Sequence, residues 1–167
     1  MKSPARVLLL MGLLTACQSA PITVPLPDAQ FQLASIPTAG RVIMYAQPLT
    51  FDRPPISARY VLEGQARYQQ TNLSLEVYGS AFQPGGSGCQ AVGSYFICDP
   101  AVGVVTKLTT APINFSGGAT QPFTLQGAVL NQAVNQGQIW LGVQIAANQL
   151  SSGEVFLRQM TVKVAVF

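Results

Sequence analysis

Histidine is absent from the sequence, and charged residues make up only 9% of its 167 positions, against about 25% in typical soluble domains. Without histidine, neither a Ser-His-Asp nor a Cys-His catalytic group can form, and zinc loses a common ligand. The six acidic residues are scattered singly, unlike those of a calcium loop. We therefore expect no metal and no cofactor. Gln, Asn, Ser and Thr must supply most of the water-facing surface, which suits contact with neutral polymers or neighbouring proteins.

Clusters of basic residues are lacking as well. Lys2 and Arg6 lie near the N-terminus, and residues 17–167 carry seven basic and six acidic side chains that are spread along the chain. Domains that bind nucleic acids concentrate Lys and Arg on one surface. We therefore expect no nucleic acid partner.

Long apolar runs are also missing. The N-terminal run, 7–14, covers about eight residues, fewer than the roughly 20 that a membrane-spanning helix needs. It follows Lys2 and Arg6 and precedes small residues, which is the order of a secretory signal peptide. We predict a signal peptide over 1–16 and exclude it from the fold.

The end of this segment, Leu14-Thr15-Ala16-Cys17, resembles the lipobox of bacterial lipoproteins: an aliphatic residue, a small residue, Ala or Gly, then Cys. The resemblance implies cleavage before Cys17 and acylation of Cys17 with several chains such as palmitate. Several chains are needed because one short chain alone anchors a protein only marginally. An ordinary signal peptide with a chance cysteine is the alternative. In that family Asp after the cysteine often marks the inner membrane, so Gln18 favours the outer membrane of a cell envelope. Which face of that membrane carries the protein stays open.

The mature chain divides into a tether and one domain. Residues 17–35 are rich in proline and predict an extended, lipid-anchored tether. Part of it could dock as an edge strand instead, because Ile22, Val24 and Leu26 alternate with other residues. Residues 36–167 are enough for a single domain with its own core.

This domain is predicted to be all-β. Alternating apolar residues, punctuated by Gly and Pro turns, predict strands at 41–46, 57–68, 73–79, 89–98, 101–109, 122–130, 138–147 and 154–167, with no convincing helix. Roughly eight short strands favour an antiparallel β-sandwich, immunoglobulin-like or jelly-roll-like, with a small β-barrel as the alternative. We expect 57–68 and 73–79 to pair as a hairpin, with Glu76 near Arg67. In the last strand Phe156 and Arg158 share the parity of the inward residues, which suggests a β-bulge near Arg158.

Cys89 and Cys98 flank the most determinate turn of the sequence. With Gly93-Ser94 as a two-residue type II′ loop, the two cysteines face each other at a non-hydrogen-bonded position, where strands come closest. In an exported protein such a pair is expected to form a disulfide. Two free thiols or a metal pair are the alternatives.

Paired carboxylates are the remaining route to catalysis. The candidates for a glycoside-cleaving pair are Asp52, Glu63, Glu76, Asp99 and Glu154. Solvated pairs with Arg59 and Arg67 explain the two central glutamates better, and Asp99 before Pro100 is typical of a turn. A hydrolase is therefore the third hypothesis.

Two aromatic residues lie on the polar side of their strands. Trp140 has the opposite parity to the apolar stripe of 139–145, and Tyr78 lies on the polar face of 73–79. Exposed aromatics on a sheet can stack on sugar rings, so both are candidate ligand-binding residues, unless a loop covers Trp140. We expect a non-catalytic envelope lipoprotein that binds a protein partner, and a glycan-binding module is the alternative.

Overall fold

The computed structural model describes five parts of the chain: residues 23–33, 40–69, 73–116, 118–145 and 153–164. Within them, thirteen β-strands form two antiparallel sheets that pack face to face, with one α-helix and one short 3-10 helix. The predicted β-sandwich is confirmed. The strands outnumber the predicted eight because 89–98 forms two strands and because four more lie outside the predicted segments, at Thr23–Pro25, Ala29–Leu33, Leu49–Thr50 and Ile113–Phe115. The predicted signal peptide and the predicted lipobox with Cys17 lie outside the described residues.

Sheet A contains five strands: β1 (Thr23–Pro25), β2 (Ala29–Leu33), β5 (Tyr60–Tyr68), β11 (Thr120–Gln126) and β13 (Gly153–Val164). β13 pairs with β1 and β2 on one side and with β5 on the other, and β5 also pairs with β11. Residues 23–33 of the predicted tether therefore belong to sheet A, as the edge-strand alternative proposed. Phe31 is fully buried there, and its ring centroid lies 4.7 Å from that of Tyr45 in the other sheet.

Sheet B contains eight strands: β3 (Val42–Tyr45), β4 (Leu49–Thr50), β6 (Leu73–Ser80), β7 (Cys89–Val92), β8 (Tyr95–Cys98), β9 (Thr106–Lys107), β10 (Ile113–Phe115) and β12 (Gln138–Ile145). β9 and β10 both pair with one edge of β6, which is followed by β12, β3, β8 and β7, and β4 pairs with the end of β12.

The core lies between the inner faces of the two sheets. The alternation predicted from the sequence is confirmed, since Tyr60 and Leu62 of β5 and Leu75 and Val77 of β6 are all buried there. Burying a large apolar side chain stabilises a fold by about 1.5–3 kcal/mol.

The predicted hairpin between 57–68 and 73–79 is wrong. β5 pairs in sheet A and β6 in sheet B, so the two consecutive strands belong to different sheets. A hairpin and a crossing between sheets both direct alternate residues to the core, and the pattern alone does not separate them. The expected contact of Glu76 with Arg67 is wrong for the same reason, because the two side chains lie on outer faces of opposite sheets.

Two predicted strands are partly replaced by helices. The strand predicted over 122–130 ends at Gln126, and α1 (Ala128–Gln136) follows, burying Leu130, Ala133 and Val134 at helical spacing. The segment 101–109 contains the 3-10 helix Pro100–Val102 before β9. Asp99 caps that 3-10 helix by accepting a hydrogen bond from the Ala101 N–H at 2.9 Å, so its role as a turn former is confirmed. No helix of the described residues is long and apolar enough to cross a membrane.

The hairpin of β7 and β8 is confirmed together with its disulfide. Cys89 is opposite Cys98 in the register, their Cα atoms are 4.0 Å apart, and their sulfur atoms are bonded. Gly93 has φ of +59° and Ser94 has no positive φ, as a type II′ turn requires.

Candidate functional site

The outer face of sheet B holds both predicted aromatic residues in a second, smaller hydrophobic cluster. This outer cluster consists of Val42, Met44, Tyr78, Cys98, Val105 and Trp140, with Cys89 and Phe96 packed against it. Trp140 faces outward, as its parity indicated, but only 7% of its surface is exposed, and Tyr78 is 8% exposed. Neither ring therefore offers a broad open face. The Nε1 group of Trp140 is buried and has no hydrogen-bond partner among the described residues.

Close packing at Gly142 holds the centre of the outer cluster together. Gly142 lies between Tyr78 and Met44 in the register of the sheet. A Cβ atom placed on Gly142 would overlap the Sδ atom of Met44 and lie 2.8 Å from the carbonyl oxygen of Ile43. The methionine side chain thus occupies the space that a larger residue would need.

A polar chain borders the outer cluster. Lys107 Nζ donates to Glu76 Oε1 at 3.0 Å, and the Tyr78 hydroxyl lies 2.7 Å from Gln144 Oε1 and 3.4 Å from Glu76 Oε2. Gln144 in turn donates to the carbonyl of Gly40 at 2.6 Å. Burial, followed by the nearby Glu76 charge and its hydrogen bond, raises the pKa of Tyr78 above its ordinary value. This hydroxyl therefore stays protonated at neutral pH and acts as a hydrogen-bond group.

The carboxylates are separated by the sandwich. Glu76 lies on the outer face of sheet B, whereas Glu63 lies on the outer face of sheet A, where it pairs with Lys163. The two central glutamates therefore do not form a catalytic pair. No group of three or more Cys, Asp or Glu side chains that could hold a metal ion occurs within the parts of the chain that the structure describes.

The outer face of sheet A differs because its side chains are open to solvent. In the register of β11, β5 and β13, the first row of outward residues is Thr120, Arg67 and Phe156, the second is Pro122, Gln65 and Arg158, and the third is Thr124, Glu63 and Thr161. We call these nine residues the sheet A platform. They are all exposed or half-buried, and they combine charged, hydrogen-bonding and aromatic groups.

Phe156 is the platform residue that sequence reasoning missed. The predicted bulge is confirmed, because the register between β13 and β5 shifts between Arg158 and Thr161. It changes the parity of the strand, so Val155 and Leu157 are buried while Phe156 and Arg158 point outward. The Arg158 guanidinium carbon lies 4.9 Å from the centroid of the Phe156 ring. The signal was Arg158 itself, since a charged residue at inward parity indicates that the strand changes face before the core residue Met160.

Comparisons with known proteins add a similarity of shape. No protein-family model and no curated protein matches the chain. Among solved structures, the chain is similar to one described as "xylan-binding module CBM15", with 10% sequence identity and a TM-score of 0.42 over 87% of this chain and 98% of that one. Xylan binding is a property of that module.

Proposed function

We propose that this chain is a lipoprotein of a bacterial cell envelope that binds another envelope protein and has no catalytic activity of its own. The observation that carries the proposal is the sheet A platform, an open surface on three adjacent strands. Interfaces are enriched in Arg and aromatic residues, and the platform combines Arg67, Arg158 and Phe156. The separation of Glu63 from Glu76 supports a role in binding rather than in glycoside cleavage.

Acylation of Cys17 would hold this platform close to the membrane. β1 begins at Thr23, so five residues separate it from Cys17, and the six steps from Cys17 to Thr23 span about 20 Å when the chain is fully extended. The partner would therefore be embedded in the membrane or lie at its surface, with the outer membrane favoured by Gln18.

The test is recovery of a partner from intact envelopes in mild detergent, with the tagged, lipidated protein as bait. Thr124→Tyr places a bulky neutral side chain on the platform, and Thr106→Tyr makes the same change at the exposed edge of sheet B. A stoichiometric protein that is lost with Thr124→Tyr and kept with Thr106→Tyr would support the proposal. Recovery of no protein, or equal recovery with both variants, would contradict binding through the platform.

Glycan binding is the second candidate, and one observation favours it. A groove of about 420 Å³ runs between β10 and β11, and all of its lining residues are uncharged, among them Thr110, Asn114, Gln121 and Phe123. Such a lining can hydrogen-bond neutral sugars. Heat released on titration with soluble neutral oligosaccharides, and lost in Asn114→Ala, would support this candidate, while a change of Trp140 fluorescence would point to the outer cluster instead.

A further inference from the structure

We propose that Arg67, Phe156 and Arg158 form a carboxylate-binding site on the platform, which recognises an acidic segment of the partner protein. The assignment rests on the proposed function and names the chemistry of the partner. It follows from three features of the site: how the side chains are arranged, which charges are left uncompensated, and what fixes the strand beneath them.

Phe156 has one arginine opposite it on the neighbouring strand and another stacked on its ring. Phe156 is directly opposite Arg67 in the register of β5 and β13, and the Arg158 guanidinium lies over the ring, with 4.9 Å from its central carbon to the ring centroid. A guanidinium stacked on an aromatic ring keeps its in-plane N–H groups free to donate. Those groups form the fork that binds a carboxylate through two parallel hydrogen bonds.

The two guanidinium charges are not neutralised by the protein. On the same face, Lys163 is paired with Glu63. By contrast, within the described ranges neither Arg67 nor Arg158 has a carboxylate within 4.0 Å. The platform therefore presents two uncompensated positive charges beside one ring, and its complement is a negatively charged group.

Two further acidic residues, one on β13 and one beside it, have partners of their own. Glu154 Oε1 accepts a hydrogen bond from the Gln32 side chain at 3.5 Å, and Asp28 Oδ1 accepts one from the backbone N–H of Gln159 at 3.1 Å. Both hydrogen bonds join β13 to the neighbouring edge segment. They help to fix the strand that carries Phe156 and Arg158.

The bulge gives the site its orientation. Gln159 has φ of +52°, the only positive φ among the described non-glycine residues, and such a conformation is strained for a residue that carries a side chain. The hydrogen bond to Asp28, together with that from the Leu26 N–H to the Met160 carbonyl at 2.9 Å, holds it in place. Without this bulge, Phe156 and Arg158 would take the parity of the core residues, so the strained residue is what turns them to the surface.

A protein segment fits this arrangement better than a sugar ring does. Arg158 covers one face of Phe156, which limits the stacking of a pyranose on that ring. Arg paired with an aromatic residue is also typical of the few residues that dominate protein interfaces. We therefore assign the carboxylate to Asp or Glu side chains of the partner.

The experiment uses the full lipidated protein in mild detergent at low ionic strength. It is titrated with a fluorescent peptide that alternates Glu with Ser, and with a counterpart that alternates Gln with Ser. We expect binding of the Glu peptide alone, about tenfold weaker when Arg67→Gln and Arg158→Gln are combined. Arg41→Gln is the matched control, because it removes an exposed arginine next to sheet B. Phe156→Leu keeps both charges but removes the ring, and it should weaken binding several-fold.

Other results would contradict the site, its ligand or the proposed function. If Arg41→Gln lowered the affinity for the Glu peptide as much as the double arginine variant does, binding would be due to diffuse charge attraction and the site would be overturned. The site would also be overturned if Phe156→Leu, with unchanged circular dichroism, bound the Glu peptide as tightly as the wild type does. Binding of polygalacturonate in place of the Glu peptide would overturn the assignment to a protein segment. A partner recovered equally by wild type and the double arginine variant would overturn the site but leave the proposed function standing. Recovery of no partner, with the Glu peptide still bound through both arginines, would overturn the proposed function but leave the carboxylate-binding site standing.

Discussion

Replacing Gly142 by alanine should destabilise the domain through the outer cluster. The added methyl group would overlap Met44 Sδ and lie 2.8 Å from the carbonyl oxygen of Ile43. Met44 is fully buried among the cluster residues, and the carbonyl belongs to the backbone of the adjacent strand, so neither moves away without disturbing its neighbours. Overpacking of this kind costs about 1–3 kcal/mol, which corresponds to a fall in Tm of about 2–12 °C for a domain of this size.

Urea unfolding measures this change. The single Trp140 reports on the outer cluster and circular dichroism reports on the sheets, and the two transitions should coincide if unfolding is two-state. Gly85→Ala is the matched control, because its added methyl group meets nothing within 4 Å and its φ is not positive. Combining Gly142→Ala with Met44→Ala should destabilise the domain by less than the two single changes added together, since the overlap with Met44 is removed while that with the Ile43 carbonyl remains. A destabilisation by Gly142→Ala no larger than that of Gly85→Ala would refute the close packing of the outer cluster.

Three further predictions concern the bridge, the tyrosine and the anchor. Replacing Cys89 and Cys98 together by alanine should lower the free energy of unfolding by about 2.7 kcal/mol, the chain-entropy value for a loop of about ten residues; an unchanged urea midpoint would contradict it. Because the pKa of Tyr78 is raised in the folded protein, the protonated hydroxyl contributes to the free energy of unfolding at neutral pH, and this contribution is lost as the pH rises past about 10. Tyr78→Phe should therefore reduce the loss of stability at alkaline pH, and identical alkaline unfolding curves would count against the shift. Cys17→Ser should release the protein from membranes in fractionation, whereas continued membrane association would exclude acylation at that residue.

The sequence predicted local features of the fold well, because those features depend on neighbouring residues. The turn at Gly93-Ser94 brought Cys89 opposite Cys98 by simple counting along two strands. The alternation of 57–68 identified the buried face of β5, and the charge of Arg158 at an inward position indicated the bulge. In each case the pattern and the structure respond to the same short-range geometry.

The assignment of strands to sheets could not be predicted in the same way. β5 and β6 are consecutive in the chain but belong to different sheets, and an alternating pattern fits two strands in different sheets as well as it fits a hairpin. α1 was missed because its buried residues, Leu130, Ala133 and Val134, belong to a short segment whose apolar run also suits a strand, and its terminal Gly137 resembled a turn. The platform could not be predicted either. Placing Phe156 on the surface beside Arg67 requires both the position of the bulge and the pairing of β13 with β5.

The two outer faces of the sandwich differ in a way that separates stability from recognition. Sheet B covers its outer face with an apolar cluster next to the disulfide, and the charge of Glu76 there is paired with Lys107. Sheet A leaves Arg67 and Arg158 without a carboxylate partner in the described ranges, on a surface that no apolar cluster occupies. Few residues of this chain are charged, so two arginines without a carboxylate partner beside one ring form a distinct positively charged surface that can bind an anionic group of another molecule. Changes in the outer cluster should therefore alter the stability of the domain while the folded molecules bind normally, and changes in the platform should alter binding while the urea midpoint stays the same.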